Sequence, residues 1–292
     1  CPFSYWCGHV ARMEAPSDDV GLYDKKIQGT LMHATWKGVW ERYLSHFEGE
    51  ASSLHDLLLS SWDSEMSRLS VEYPFISDAR FAAPIAKIRG MMLGVAEEQD
   101  KAEMRAFEAG FVRVGAEFER SLPEYRLTNL SFFGKADRID LWQTPDSLAA
   151  VIVDYKLGNS GWYGDSLQLA AYAAIMRDAA SKGDDIPRVV GYCYVGHADQ
   201  KARGAWSPEI RQIYKATQRG RVDDLEERIA EAAKAMNEMD SALPNGIFTA
   251  NYESNACVRC SYQAICRRSE RFGARSSEEV ESDDGTDDES DD

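Results

Sequence analysis

The chain has 292 residues, of which 44% are hydrophobic and 28% charged, with a formal net charge of −16. That balance describes a soluble globular chain long enough to bury a sizeable core. It excludes a membrane span, because no apolar run approaches the roughly 18–20 residues that cross a bilayer. Ten acidic residues and no basic ones lie between Glu278 and Asp292, and without them the net charge is −6. Such a stretch cannot bury apolar surface, so residues 277–292 are expected to form a disordered acidic tail. Its plain role is solubility; a sharper one is an autoinhibitory DNA mimic or partner-binding arm. The mildly acidic body needs a local basic groove if it is to meet nucleic acid.

The chain opens Cys1-Pro2-Phe3-Ser4-Tyr5-Trp6, without the basic-then-apolar order of a signal peptide and without an initiator Met. It is therefore expected to begin inside a longer polypeptide and to work in the cytoplasm. Helical spacing follows at Leu31, Trp36, Val39, Trp40, Tyr43, Leu44 and Phe47. Leu54 to Leu69 and Ile85 to Ala109 continue it, with Pro84 as a helix start, and the helical texture reaches about Ala116. Leu127 to Leu141 then suggests two short strands in a hairpin. Leu148 to Lys156 is apolar and β-branched, a buried strand with a polar tip. Gly158 to Gly164 is a loop. Asp165 or Ser166 caps a helix running to about Ser181. Arg188 to Val195 is a further strand, and a long helix spans about Val222 to Ser241 until Pro244-Asn245-Gly246 stops it. That order predicts an α/β core with a helical addition at its N-terminal side.

Two polar segments stand out at strand ends: Gly134-Lys135-Ala136-Asp137-Arg138-Ile139-Asp140 and Val153-Asp154-Tyr155-Lys156. On a strand, residues two apart share a face, so Asp154 and Lys156 project together. A carboxylate there can hold a divalent cation, and the lysine can orient water and offset phosphate charge. An isolated Asp-x-Lys is more often a surface ion pair; the glycine-led Asp137 segment beside it is what favours chemistry. Asp140, three residues from Asp137, faces the other way and is read as structural.

These segments, with Gln168-Leu169-Ala170-Ala171-Tyr172 and Gly29-Thr30-Leu31-Met32-His33, resemble the PD-(D/E)xK nucleases of the RecB and AddB type. The resemblance implies a restriction-endonuclease-like α/β fold: a mixed sheet core flanked by helices. It carries over Asp137 and Asp154 as metal ligands, His33 at the metal site and Lys156 as the catalytic lysine. Gln168 and Tyr172 match its supporting helix motif. A further glutamate is expected upstream; Glu117 and Glu119 both qualify, with Glu119 preferred. The implied activity is Mg²⁺ (or Mn²⁺)-dependent DNA cleavage, acting on single-stranded ends in double-strand-break repair. The implied partner is a helicase subunit or a helicase region of the same polypeptide. A stand-alone exonuclease resembling those of CRISPR adaptation and a catalytically silent DNA-binding scaffold are the alternatives.

Cys257, Cys260 and Cys266 form C-x2-C-x5-C, a strong metal-ligand spacing that needs a fourth donor. Spacing leaves structural zinc and iron–sulfur open. The resemblance assigns Cys1, in its Cys-Pro-Phe segment, as fourth ligand of a [4Fe–4S] cluster stapling the chain ends; Cys7 is a rival. Cys193 reads as a buried thiol. Arg259, Arg267, Arg268, Arg271 and Arg275 around the cluster suggest a phosphate-binding patch. Trp162 and Tyr163 are candidates for base stacking. His9, His46, His55 and His197 have no comparable context and read as ordinary. The expected organisation is one nuclease domain over residues 1–276. Its helical part spans about 29–115, its catalytic core about 116–200, and its last helix and cysteine cluster about 221–275.

Overall fold

The computed structural model describes residues 7, 11–13, 25–45, 53–144, 147–214, 223–246, 257, 260 and 262–266. They fall into two units: Val20–Asp240, and one drawn from both chain ends, Cys1–Asp19 with Ser241–Asp292. Cys1, the acidic tail and the five clustered arginines lie outside the described residues.

Among the described residues, three α-helices precede the first strand: α1 (Lys25–Ser45), α2 (Leu54–Glu72) and α3 (Ala82–Glu108). In α1, Met32, Trp36, Val39 and Trp40 recur at helical spacing and are all buried. His33 and Lys37 occupy the neighbouring stripe and line a cavity. Asp100 of α3 accepts the N–H groups of Leu54 and His55 at 2.8 and 3.1 Å, and Ser53 Oγ accepts that of Asp56 at 3.0 Å. These bonds satisfy the open first turn of α2 and fix it to α3.

Strand β1 (Val112–Ser121) follows, then a small pair, β2 (Tyr125–Arg126) with β3 (Ser131–Phe132). β4 (Lys135–Gln143), β5 (Leu148–Lys156), β6 (Arg188–Gly196), β7 (Lys201–Trp206) and the two-residue β8 (Asp223–Asp224) complete the main sheet, ordered β1-β4-β5-β6-β7-β8. β5 and β6 are parallel, connected through α4 (Gln168–Ser181), whereas β1/β4, β4/β5 and β6/β7 are antiparallel. The remaining α-helices among the described residues are α5 (Pro208–Tyr214), α6 (Leu225–Ala242) and the single turn α7 (Gln263–Cys266). No helix among the described residues is long and apolar enough to cross a membrane.

β5 is buried on both faces, which explains its near-continuous apolar run. Val151, Val153 and Tyr155 pack into the layer of α1–α3; Ala150 and Ile152 pack against α4 and α6.

Three local expectations change. The helical texture does not reach Ala116: the chain turns at Gly110, in the left-handed conformation that glycine favours, and Val112 already starts a ten-residue strand. The expected hairpin over Leu127–Leu141 is divided, because β4 pairs with β1 while only β3 returns to β2. Neither Asp165 nor Ser166 is the N-cap of α4, which begins at Gln168. Its Leu169 N–H is taken by the Tyr194 hydroxyl at 3.1 Å, a partner from β6, and that hydroxyl donates to Ser166 Oγ at 3.0 Å.

On the helical side of the sheet, Asp140 is fully buried between two guanidinium groups. Arg113 Nη1 lies 2.6 Å and Arg138 Nε 2.8 Å from its Oδ1. Arg138 stacks 4.2 Å from the Trp40 ring centroid, and Arg113 sits 4.2 Å from that of Trp142. Removing one member of such a network strands buried charge. Asp140→Ala is expected to cost about 3–5 kcal/mol in urea unfolding; a loss below about 1 kcal/mol would contradict this role.

Candidate active site

The alternation of β5 decides the geometry. Tyr155 is buried on the helical side, stacked on Trp36 with centroids 5.3 Å apart, and its hydroxyl accepts from Trp40 Nε1 at 3.0 Å and from Arg138. With Tyr155 locked, its neighbours Asp154 and Lys156 point to the opposite face. Their charged atoms meet there, Lys156 Nζ to Asp154 Oδ2 at 2.7 Å. The ammonium also lies 5.1 Å from the Tyr163 ring centroid and 5.8 Å from that of Tyr194, within reach of both π faces.

Asp137 arrives from β4. Arg138 pairs with Val153, so one step further along each strand Asp137 and Asp154 are neighbours. Asp137 Oδ2 accepts the Tyr155 N–H at 3.0 Å and lies 3.4 Å from His33 Nδ1 of α1. Burial raises the pKa of both carboxyls; Asp137 adds to the rise at Asp154, which reaches about 6. Burial also lowers that of His33. Two like charges held close in a poorly solvated pocket are unfavourable unless a cation joins them.

Asp154 Oδ2 is buried and, apart from the ion pair with Lys156, accepts no well-aligned hydrogen bond. A buried oxygen with remaining acceptor capacity and the hard oxygen donors beside it fit Mg²⁺, which needs few protein ligands. The acids form a pair rather than a closed cage: among the described residues no group of three or more Asp, Glu, His or Cys donors is arranged to hold a metal ion.

The supporting helix stands alongside. Gln168 Nε2 donates to the Tyr172 hydroxyl at 3.2 Å, one turn along α4. The Tyr172 ring packs against Gly134, where an added Cβ would lie 2.6 Å from it. A side chain there, just before the strand that bears Asp137, would force the Tyr172 ring to shift. Glu119 lies between Phe118 and Arg120, which pair with Arg138 and Ala136 of β4, and its two oxygens go to Lys37 and Lys135. Glu117 pairs with Arg120. Trp162 is exposed, whereas Tyr163 is half-buried and stacks on Tyr194 at 5.4 Å.

A family model described as the PD-(D/E)XK nuclease superfamily matches residues 1–267. The chain belongs to the PD-(D/E)XK nuclease superfamily. Its mixed sheet flanked by helices is the restriction-endonuclease-like fold, and members of this superfamily are generally nucleases. No curated protein matches the chain.

His197 is not ordinary. It is fully buried at the end of β6, accepts Trp36 Nε1–H on Nε2 at 2.7 Å, and holds Nδ1 3.1 Å from the Lys156 carbonyl. Its own N–H donates to the same carbonyl at 2.9 Å. It thus ties the strand tip bearing Lys156 to the helix bearing His33. A histidine with no local motif gives no sequence signal for this; the partners lie 41 and 161 residues away.

In the end-derived unit, Met13 N–H donates to the Cys7 carbonyl at 2.8 Å, and the Tyr262 hydroxyl donates to the Met13 carbonyl at 3.1 Å. Cys7 is buried, and its thiol pKa is raised by burial and then by the nearby Cys260 and Cys266. The rival donor therefore lies near Cys260 and Cys266 of the trio. The described cysteines alone do not close a ligand set.

Burial lowers the His197 pKa from 6.5 to about 4, favouring the neutral ring in the fold. The unfolded chain then takes up a proton first as pH falls. Stability from this group is full above about pH 6.5 and is lost towards pH 4, on the order of 3 kcal/mol. Urea midpoints of wild type and His197→Asn across that range should converge as pH falls; parallel curves would contradict the assignment.

Proposed function

We propose that this chain is a metal-dependent deoxyribonuclease that hydrolyses phosphodiester bonds at DNA ends. The observation that carries the reading is the side-by-side pair Asp137 and Asp154 with Lys156 Nζ 2.7 Å from Asp154. Asp137 and Asp154 would hold Mg²⁺ or Mn²⁺, with His33 at the rim through its contact with Asp137. The cation supplies positive charge to the phosphoryl oxygens and acidifies water. Lys156 orients the attacking water with an N–H and offsets charge building on the phosphate. Gln168 and Tyr172 support the strand being cut. His197 and Tyr155 hold the tip of β5, so that the lysine stays in line.

The resemblance to RecB- and AddB-type nucleases extends the proposal to an exonuclease on single-stranded ends. It would work with a helicase in double-strand-break repair. Cys257, Cys260 and Cys266 with Cys1 are proposed to hold a [4Fe–4S] cluster, with structural zinc as the alternative. Soft thiolate donors at C-x2-C-x5-C spacing support this, as does the joining of both chain ends in one unit.

Wild type should degrade labelled single-stranded DNA with Mg²⁺ or Mn²⁺ and stop with chelator. Asp154→Asn should not cut; relieved of charge repulsion, it should be more stable in metal-free buffer at pH 7 by about 1 kcal/mol. A wild type that binds DNA but never cuts it would identify a scaffold instead. Anaerobic purification should give a brown protein with iron and acid-labile sulfide; a colourless protein with zinc and no iron would overturn the cluster assignment.

A further inference from the structure

A cavity of about 900 Å³ opens beside His33 and Asp137, lined also by Lys37, Phe118, Glu119 and Lys135. Lys37 is one helical turn from His33 on α1, and Lys135 is two residues from Asp137 on β4, so each follows the face of its partner. Both lysines reach one carboxylate: Lys37 Nζ is 3.3 Å from Glu119 Oε2 and Lys135 Nζ is 2.8 Å from Oε1. Among the described residues, Glu119 is the carboxylate with which each forms an ion pair.

The backbone at Glu119 is unusual. Its φ is 49°, in the left-handed region that residues other than Gly, Asn and Asp seldom adopt. The β1/β4 ladder pairs Phe118 with Arg138 and Arg120 with Ala136, and misses the Glu119–Asp137 step between them. Strained backbone of this kind persists only where its surroundings hold it, and it concentrates at functional sites. Here it accompanies a carboxylate engaged by two lysines at the cavity wall.

We propose that Lys37 and Lys135 are a phosphate-binding pair for the DNA strand entering the cleft, and that Glu119 fills this subsite until the strand displaces it. The inference rests on the nuclease reading above and assigns positions beside the scissile bond. A phosphodiester offers what Glu119 offers, two oxygens sharing one negative charge. Exposed ion pairs contribute little net stability, so the exchange costs little. In a chain of net charge −16, a paired carboxylate also keeps the site from holding stray anions.

The test is fluorescence anisotropy of a short labelled oligothymidine with the full chain in chelator, across a salt series, followed by cleavage in Mg²⁺. The Lys37→Ala/Lys135→Ala double variant should bind roughly tenfold more weakly. Its salt slope should be smaller by about 1.4, two contacts at about 0.7 each. Lys37→Arg/Lys135→Arg should retain the slope. Glu119→Gln should bind a few-fold more tightly, and thermal midpoints should not move. A double alanine variant with an unchanged slope overturns the proposal. So does a Glu119→Gln protein that binds as wild type but no longer cuts, which would make Glu119 a metal ligand. If wild type binds and cuts while the variant slopes stay unchanged, this inference alone fails; a wild type that binds no DNA defeats the nuclease reading with it.

Discussion

Asp137 and Asp154 are neighbours at the tips of two strands, in surroundings that favour the neutral form of each. Left to itself, such a pair would relax apart or take up protons. It is held because β5 is fixed on both faces and β4 is hydrogen-bonded along its length. Tyr155 is the pin: its ring lies on Trp36, its hydroxyl accepts from Trp40 and Arg138, and its N–H donates to Asp137. Stability built into the helical layer thus sustains an arrangement that costs stability on the opposite face.

The same sheet separates two kinds of charge. On the helical side, Asp140 is compensated by Arg113 and Arg138, packed against tryptophan rings and closed to solvent. That cluster is architectural. At the strand tips, Asp137 lies in the wall of the cavity with His33, Glu119, Lys37 and Lys135, an exposure that suits groups that must meet a substrate. Strand alternation alone places Asp140 in the first set and Asp137 in the second. Net acidity does not oppose a DNA-binding role on this arrangement, since Lys37, Lys135 and Lys156 are gathered beside the acids.

His197 couples the two sides. One imidazole links the indole of Trp36 to the carbonyl of Lys156; accepting the indole N–H requires a bare Nε2 and therefore the neutral ring, with Nδ1–H facing the carbonyl. The helix bearing His33 and the strand bearing Lys156 are therefore fixed to each other through one buried side chain.

By itself the sequence determined the strand of Leu148–Lys156, the common face of Asp154 and Lys156, the opposite orientation of Asp140 and the buried stripe of α1. Each follows from a local period, 2.0 in a strand and 3.6 in a helix. Tertiary structure alone decided that β1 starts at Val112 and pairs with β4, that Tyr194 satisfies the first turn of α4, and that His197 supports Lys156. It also decided that Glu119 turns to Lys37 and Lys135, residues 82 and 16 positions away. These contacts join segments with no common period, so nothing in the spacing of residues encodes them. They exist only once the sheet order brings the segments together.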